Sequence, residues 1–472
     1  MKKWVKFWLG GGASWRTGRA FALCSLTGVA VGLSAVGFNA LFELCRHGIL
    51  GTLGGFAPHE AQGEVPLFFG ASAMRPRWWI LWALPALGAL LASVIGRWFC
   101  PEAGGHGTDT AIDAYHRRAG LLGWKVVPIK AITSALTIGS GGSAGCEGPV
   151  TLIGAGCGSA IAQALHLSPT ERRALLAAGL GAGVGALFRA PLAGALFAAE
   201  VLYRDLDLEF EVIIPAMVAS VVGYSVFAGF YGWEPLFGMA ACAYRTPSHL
   251  AVYLLLALVV AMGARLNMLV FRQTELLFRQ LDWSWWLKPA MGGLAVGTLG
   301  LLAPEVFGTG YGLVQDVLSE NLESDRSLFG WGLVGWILIL FVLKMVATAA
   351  TVGSGGSGGV FGPALVEGAL LGAATGMGVH LALPGLGVGM GACALVGMAG
   401  FLAASIRTPL AAMLMVSEIT GNHALLMPSM VVCGVAFASC HGWTLYRSQV
   451  QDRFCSPAHP KGMKVGREGG LL

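Results

Sequence analysis

Long apolar runs recur along the whole chain, at 20–44, 78–98, 149–166, 173–202, 212–232, 250–271, 286–303, 329–352, 364–382, 386–404 and 424–446. A helix needs about 20 apolar residues to cross a bilayer core. Several runs reach that length. Others are too short, or are cut by Gly and Pro, which fits re-entrant and broken helices. The pattern predicts an all-α polytopic membrane protein. Between the runs, 45–77 carries His59, Glu60, Glu64 and several Pro and Gly, and reads as an outer loop. The stretch 99–125 is polar and glycine-rich, and 448–472 is a polar tail too small for a folded regulatory domain.

Composition agrees with lipid as the solvent. Of 472 residues, 55% are hydrophobic and 12% charged, against about 25% charged in soluble domains. The 71 glycines suit close helix approach and unusual backbone angles. The net charge of +5 is concentrated at the ends. Lys2, Lys3, Lys6, Arg16 and Arg19 precede the first run, and Arg447, Arg453, Lys461, Lys464 and Arg467 follow the last. The positive-inside rule puts both the segment 1–19 and the tail in the cytoplasm, so these charges do not call for nucleic acid. The short apolar patch after Lys3 is broken by Lys6 and the glycines after Leu9, and makes a poor signal peptide. Ten cysteines, at 24, 45, 100, 146, 157, 242, 393, 433, 440 and 455, include no CxxC pair and read as small buried side chains.

The chain contains an internal repeat. Lys130–Pro149 matches Lys344–Pro363 at an offset of 214: Gly139-Ser140-Gly141-Gly142-Ser143 meets Gly353-Ser354-Gly355-Gly356-Ser357, Gly145 meets Gly359, and Gly148-Pro149 meets Gly362-Pro363. At an offset of 218, Arg189-Ala190-Pro191-Leu192-Ala193 meets Arg407-Thr408-Pro409-Leu410-Ala411, and Glu200 meets Glu418. Two blocks in one order divide the chain into membrane repeats at 20–233 and 234–447, a transporter design with a site between halves.

Each Gly/Ser loop ends in Gly-Pro before an apolar run. Proline is favoured at the first helical position, so Pro149 and Pro363 are expected to start helices inside the membrane. A helix start leaves free N–H groups and partial positive charge. A dehydrated anion satisfies both, and glycine lets it approach the backbone. Small-residue helix packing is the plainer alternative for either loop. Gly353-x-Gly355-x-x-Gly358 also fits a dinucleotide fingerprint, but no βαβ context surrounds it. There is no Walker A loop, no HExxH and no CxxC pair, so the sequence points to no enzyme, no cofactor and no metal. Only the first copy carries a charge at its loop: Glu147, opposite Phe361. A carboxylate there can compete with an anion for the same donors, or simply cap its helix.

Gly145-Cys146-Glu147-Gly148-Pro149 resembles the GREGP motif of the CLC chloride channel and transporter family, and Gly359-Val360-Phe361-Gly362-Pro363 resembles its GxFxP motif. Gly105-His106-Gly107-Thr108-Asp109 sits where GSGIP belongs, Thr444-Leu445-Tyr446 resembles the segment with the pore tyrosine, and Arg189–Glu200 resembles the block before the internal glutamates. The likeness covers nearly the whole membrane portion, without C-terminal CBS domains. It implies an inverted repeat of tilted and broken helices, a homodimer with one pore per subunit, and a multi-pass protein of the cell (inner) membrane. It makes Glu147 the gate. It assigns anion binding to Gly107, Gly145, Gly148, the amides of Val360 and Phe361, and the Tyr446 hydroxyl, with His106 in the place of the family's serine.

Two departures shape the functional expectation. His106 replaces a hydroxyl donor with an imidazole, which has one N–H when neutral and adds charge when protonated, so fluoride, nitrate or bicarbonate stand beside chloride as the transported anion. Asp109 also replaces the motif's proline. Where the family's exchangers have two adjacent glutamates, this chain has Glu200-Val201, and valine carries no proton. The expectation is therefore chloride transport through a Glu147-gated pore, channel-like or weakly proton-coupled, with Glu200 a doubtful proton path. The alternatives are a coupled proton/chloride antiporter and a non-conducting anion sensor or scaffold. His116, Arg117 and Arg118 are expected to cluster on the cytoplasmic face. Glu367, one turn past the second Gly-Pro, lies either near the pore or in a structural hydrogen bond. Trp78, Trp79 and Trp82 read as an interface belt.

Overall fold

A computed structural model describes residues 13–68, 75–239, 247, 249–320 and 330–459. Lys2, Lys3, Lys6, the Arg16 side chain, Cys242, Lys461, Lys464 and Arg467 lie outside the described part. The first half holds α1 (Ala13–Arg46), α2 (Trp78–Phe99), α3 (Thr108–Arg117), α4 (Val126–Gly139), α5 (Glu147–Ala164), α6 (Pro169–Leu187), α7 (Pro191–Glu200) and α8 (Phe210–Tyr231). The second holds α9 (His249–Gln280), α10 (Leu287–Leu302), α11 (Tyr311–Leu318), α12 (Trp331–Gly353), α13 (Phe361–Ala382), α14 (Met390–Ile406), α15 (Pro409–Thr420) and α16 (Leu426–Ser439). Both sets open on a long helix, follow it with one closed by a three-residue 3-10 turn (Pro101–Ala103, Pro304–Val306), and reach a Gly-Pro helix after a Gly/Ser loop. Among the described residues β pairing is limited to two isolated bridges.

Six helical segments are long and apolar enough to cross a membrane: Gly18–Leu53, Trp78–Phe99, Phe210–Tyr231, His249–Gln280, Trp331–Gly353 and Phe361–Ala382. They expose large apolar side chains, among them Trp79, Leu87 and Leu91 on α2 and Leu258 and Met262 on α9. Such faces would be costly in water and are at home in hydrocarbon. The chain is a multi-pass membrane protein. Inside, α5 packs on α6 and α13 on α14 backbone to backbone. A Cβ at Gly154 would strike the Gly179 carbonyl, and one at Gly397 the Gly368 carbonyl. Small-residue packing therefore accounts for these mid-helix glycines.

Several elements differ from the sequence pattern. The run 173–202 breaks into α6 and α7 at Arg189, whose φ is +56°, and Arg407 repeats the break before α15 with φ +64°. The periodicity missed α4 because its Lys130, Thr133, Ser134 and Thr137 are polar yet buried, and it missed α15, α3 and α11. The run 424–446 ends early, at Ser439, and 45–77 begins with a π-helical turn, His47–Leu53, that continues α1. Helices α5 and α13 start at Glu147 and Phe361, two residues before Pro149 and Pro363. The prolines still cost nothing there, because the first four N–H groups of a helix have no partner within it.

The described start of the tail is docked. Ser448 donates its amide and its hydroxyl to Asp109 (2.7 and 2.8 Å). Arg453 pairs with Glu209 and Glu211 (3.0 and 2.9 Å). His116 is buried between the Ser456 hydroxyl (2.7 Å) and the Leu202 carbonyl (2.9 Å). It does not join Arg117 and Arg118, which pair outward with Asp113 at 3.1 and 2.8 Å. The expected three-residue cluster is thus split, because the imidazole has a buried partner and the guanidinium groups do not.

Candidate functional site

The two Gly/Ser loops meet at the centre of the molecule. Gly145 and Gly359 exchange both backbone hydrogen bonds at 2.8 Å. Each loop is braced by the opposite half. Ser143 accepts or donates at Thr348 Oγ1 (3.1 Å) and its amide donates to Thr351 (3.0 Å). Ser357 does the same work against Thr133 (3.0 Å) and Ser134 (2.9 Å). Two buried lysines hold the turns before α3 and α11. Lys130 Nζ donates to the Ala103 and Gly105 carbonyls (3.1 and 2.6 Å) and to Ser357 Oγ (3.0 Å). Lys344 Nζ donates to the Val306 and Gly308 carbonyls (3.1 and 2.9 Å). Their charges are spent on backbone.

Glu147 opens α5 and is 1% exposed. Its Oε2 accepts the Gly362 amide at 3.0 Å, so the carboxylate of one Gly-Pro start rests on the free donors of the other. Its Oε1 is buried without a hydrogen bond, as is the Tyr311 hydroxyl, which lies close against Gly362. His106 and Gly107 lie on the other side of the α5 start. A Cβ at Gly148 would strike the His106 carbonyl, and Gly107 needs its glycine for a φ of +86°. The His106 ring stacks on Tyr446 at 5.4 Å between centroids. Its Nδ1 and the Tyr446 hydroxyl are both buried without a hydrogen bond of ordinary geometry. Val360 caps α13. The Phe361 ring packs on Phe188 (5.2 Å) and Phe197 (5.6 Å).

Cavities lead in from two directions. One of about 630 Å³ is lined by Phe42, Arg46, Phe56, Thr309 and Gly310, and shares Phe42 and Arg46 with a cavity of about 40 Å³ that reaches Glu147 and Tyr311. The other, about 380 Å³, is lined by His106, Gly107, Asp109, Glu275, Arg279, Lys288 and Arg447. Helix α2, about 33 Å long at 1.5 Å per residue, starts beside the first, where the Arg77 amide bonds the Gly54 carbonyl. It ends beside the second, just before Gly104. The cavities therefore lie toward opposite ends of a spanning helix; Glu147 lines the narrow extension of the first and His106 lines the second.

His106, Gly107, Gly145, Glu147, Gly148, Val360, Phe361 and Tyr446 thus converge. Glu200 does not join them. Both its oxygens accept amides at the start of α15, Leu410 (3.1 Å) and Ala411 (2.8 Å). Glu418 mirrors it on Leu192 (3.3 Å) and Ala193 (2.8 Å) at the start of α7. This is a reciprocal pair of helix caps. Glu367 is buried and hydrogen-bonded by Asn267, the structural member of its two expected roles. Tyr311 was missed from sequence, though a signal exists. Pro101-Glu102-Ala103-Gly104-Gly105-His106-Gly107 returns as Pro304-Glu305-Val306-Phe307-Gly308-Thr309-Gly310, which pairs His106 with Thr309 and places Tyr311 one step beyond. Among the described residues no group of three or more His, Cys, Asp or Glu could hold a metal.

The family model for voltage gated chloride channels matches residues 88–441. The chain belongs to the CLC family. A relative from Yersinia pestis bv. Antiqua, named H(+)/Cl(-) exchange transporter ClcA, is 31% identical over 361 residues, 75% of this chain and 73% of that protein. The protein of the same name from Klebsiella pneumoniae is 29% identical over 421 residues, 87% of this chain and 83% of its own length. Among solved structures, a slow cyanobacterial Cl-/H+ antiporter superposes with TM-score 0.75 at 21% identity, covering 89% of this chain and 94% of that one. A CLC-type fluoride/proton antiporter gives 0.76 at 19%, covering 94% and 100%. These two share the fold. As a CLC protein, the chain transports anions across a membrane.

Proposed function

We propose that this CLC protein is a coupled exchanger of protons for a small inorganic anion, chloride, and that Glu147 is the group both ions act on. The observation that carries this reading is the Glu147 carboxylate seated on the Gly362 amide. A carboxylate held by a helix-start N–H is itself an anion in an anion site. Protonation removes its charge and weakens its hold, and an incoming anion competes for the same donors. One site that takes either the carboxylate or the anion links proton movement to anion movement. Relatives named H(+)/Cl(-) exchange transporters align over most of the chain, which supports coupled exchange over the channel-like or uncoupled conductance expected from Val201. A valine at one position removes one proton route, not every route.

In this reading the anion is held by backbone at Gly107, Gly145 and Gly148, by the amides of Val360 and Phe361, and by the spare donors of Tyr446 and His106. A neutral site of this kind selects anions without binding them too tightly to leave. The same reading takes 20–233 and 234–447 as two inverted membrane repeats, the assembly as a homodimer, and both ends as cytoplasmic at the inner membrane. The test is anion efflux from reconstituted vesicles with simultaneous pH recording. The wild-type protein should drive protons uphill on a chloride gradient, and Glu147→Gln should pass chloride without moving protons. No anion flux at all from folded protein would instead favour a sensor or scaffold.

A further inference from the structure

A coupled exchanger must pass protons between the 380 Å³ vestibule and Glu147, and the groups that could carry them on that side are few. Val201 cannot. Glu200 is 1% exposed and has both oxygens committed to the Leu410 and Ala411 amides. Lys130 is committed to three acceptors. The His106 ring differs from all of these. It lines the vestibule, its Nδ1 is buried without a hydrogen bond, and it stacks on Tyr446. Its carbonyl lies against Gly148, the residue after Glu147. A ring that lines a cavity and also keeps a buried, unpartnered nitrogen combines the two features a proton carrier needs.

We propose that His106 is the vestibule-side proton carrier of this exchanger, taking the role that no carboxylate near position 201 can fill. The inference rests on the coupled reading above. The step is a proton transfer with no change of oxidation state. Hydronium in the vestibule gives a proton to a ring nitrogen, leaving water, and the ring becomes imidazolium. The imidazolium then releases its other N–H proton toward Glu147, whose carboxylate becomes a neutral acid and leaves the Gly362 amide. The ring returns to neutral in its other tautomer. The surroundings tie this step to the anion. The charges of Lys130 on α4, Arg447 after α16, Glu275 on α9 and Asp109 on α3 act on the ring, and Arg279 and Lys288 line the same cavity, with Arg279 and Arg447 both paired to Glu275 (2.7 and 2.6 Å). Burial of the ring disfavours an imidazolium; Lys130 and Arg447 add to this and Asp109 and Glu275 oppose it, while the cations lining the vestibule draw anions in. An anion beside the ring supplies the missing negative charge and favours proton uptake.

The experiment compares wild type, His106→Asn and Glu200→Gln in vesicles that report anion flux and pH together. Asparagine keeps a polar side chain but carries no titratable proton. In His106→Asn the number of protons moved per anion is expected to fall by about a hundredfold, the low end for a lost proton-transfer group, whatever the change in absolute anion flux. Glu200→Gln is expected to keep the wild-type ratio of protons to anions. A His106→Asn protein with the wild-type ratio overturns the proposal, and so does a Glu200→Gln protein that loses the ratio. If His106→Asn passes no anion, a Glu200→Gln protein with an intact ratio supports the assignment by removing the carboxylate alternative. A wild-type protein that moves no protons overturns the coupled reading itself, and that result is distinct from failure of His106 alone.

Discussion

At the scale of single residues, function depends on how little room the centre leaves. A Cβ at Gly148 would strike both the His106 carbonyl and the Gly359 Cα. Gly148→Ala must push one of them, at about 1–3 kcal/mol for an overpacked site. It should lower both the melting temperature in detergent and the anion flux. Gly229 in α8 is the contrast, because a Cβ there meets nothing. Gly229→Ala should raise stability by about 0.5–1 kcal/mol and leave flux unchanged, and thermal unfolding of the two variants checks both signs. The two Gly-Pro helix starts and the acid at one loop only were legible in the sequence itself, whereas the grouping of His106, Gly107, Val360, Phe361 and Tyr446 with them came from the family resemblance. Tyr311 was not legible, because it follows a repeat whose second copy keeps Pro, Glu and two Gly but changes His106 to Thr309.

At the scale of elements, each half holds the other's loops and helix ends. Lys130 serves three acceptors and Lys344 two in the described contacts. Replacing either by Met leaves buried carbonyls without a donor, at about 1–3 kcal/mol each. Lys130→Met should cost more than Lys344→Met, which thermal unfolding in detergent would show. Such pairings explain why α4 and α15 escaped the hydrophobic pattern. Lys130, Thr133 and Ser134 reach Ser357, and Glu418 reaches Leu192 and Ala193, in the other half of the chain, and periodicity sees only neighbours. The tail offers a pH test. His116 lies on α3, outside the spanning helices, and burial pushes its pKa down from 6.5 to about 4. The docked form therefore keeps the ring neutral where an undocked ring would take a proton, and stability is lost as pH falls between those values. Hydrogen exchange at 448–459 should speed up across that range and not above it. His116→Gln should flatten the response.

At the scale of the whole molecule, one sequence unit used twice makes a symmetric scaffold with asymmetric chemistry. The scaffold explains why cavities lie at both ends of α2 and why the loops meet at Gly145 and Gly359. The chemistry lies in what differs: Glu147 against Phe361, and His106 against Thr309. Fold class and the pairing of the two loops could be read from the repeat. Coupling could not be read from it, because a missing carboxylate beside Glu200 says nothing of an imidazole on another loop. The central claim is that protons and anions share the site at Glu147. Its most direct test is the reversal potential of the reconstituted wild-type protein under a fixed chloride gradient and a varied proton gradient. Exchange predicts a reversal potential displaced from the chloride equilibrium value and shifting with the pH gradient. A reversal potential that stays at the chloride equilibrium value for every pH gradient would contradict it.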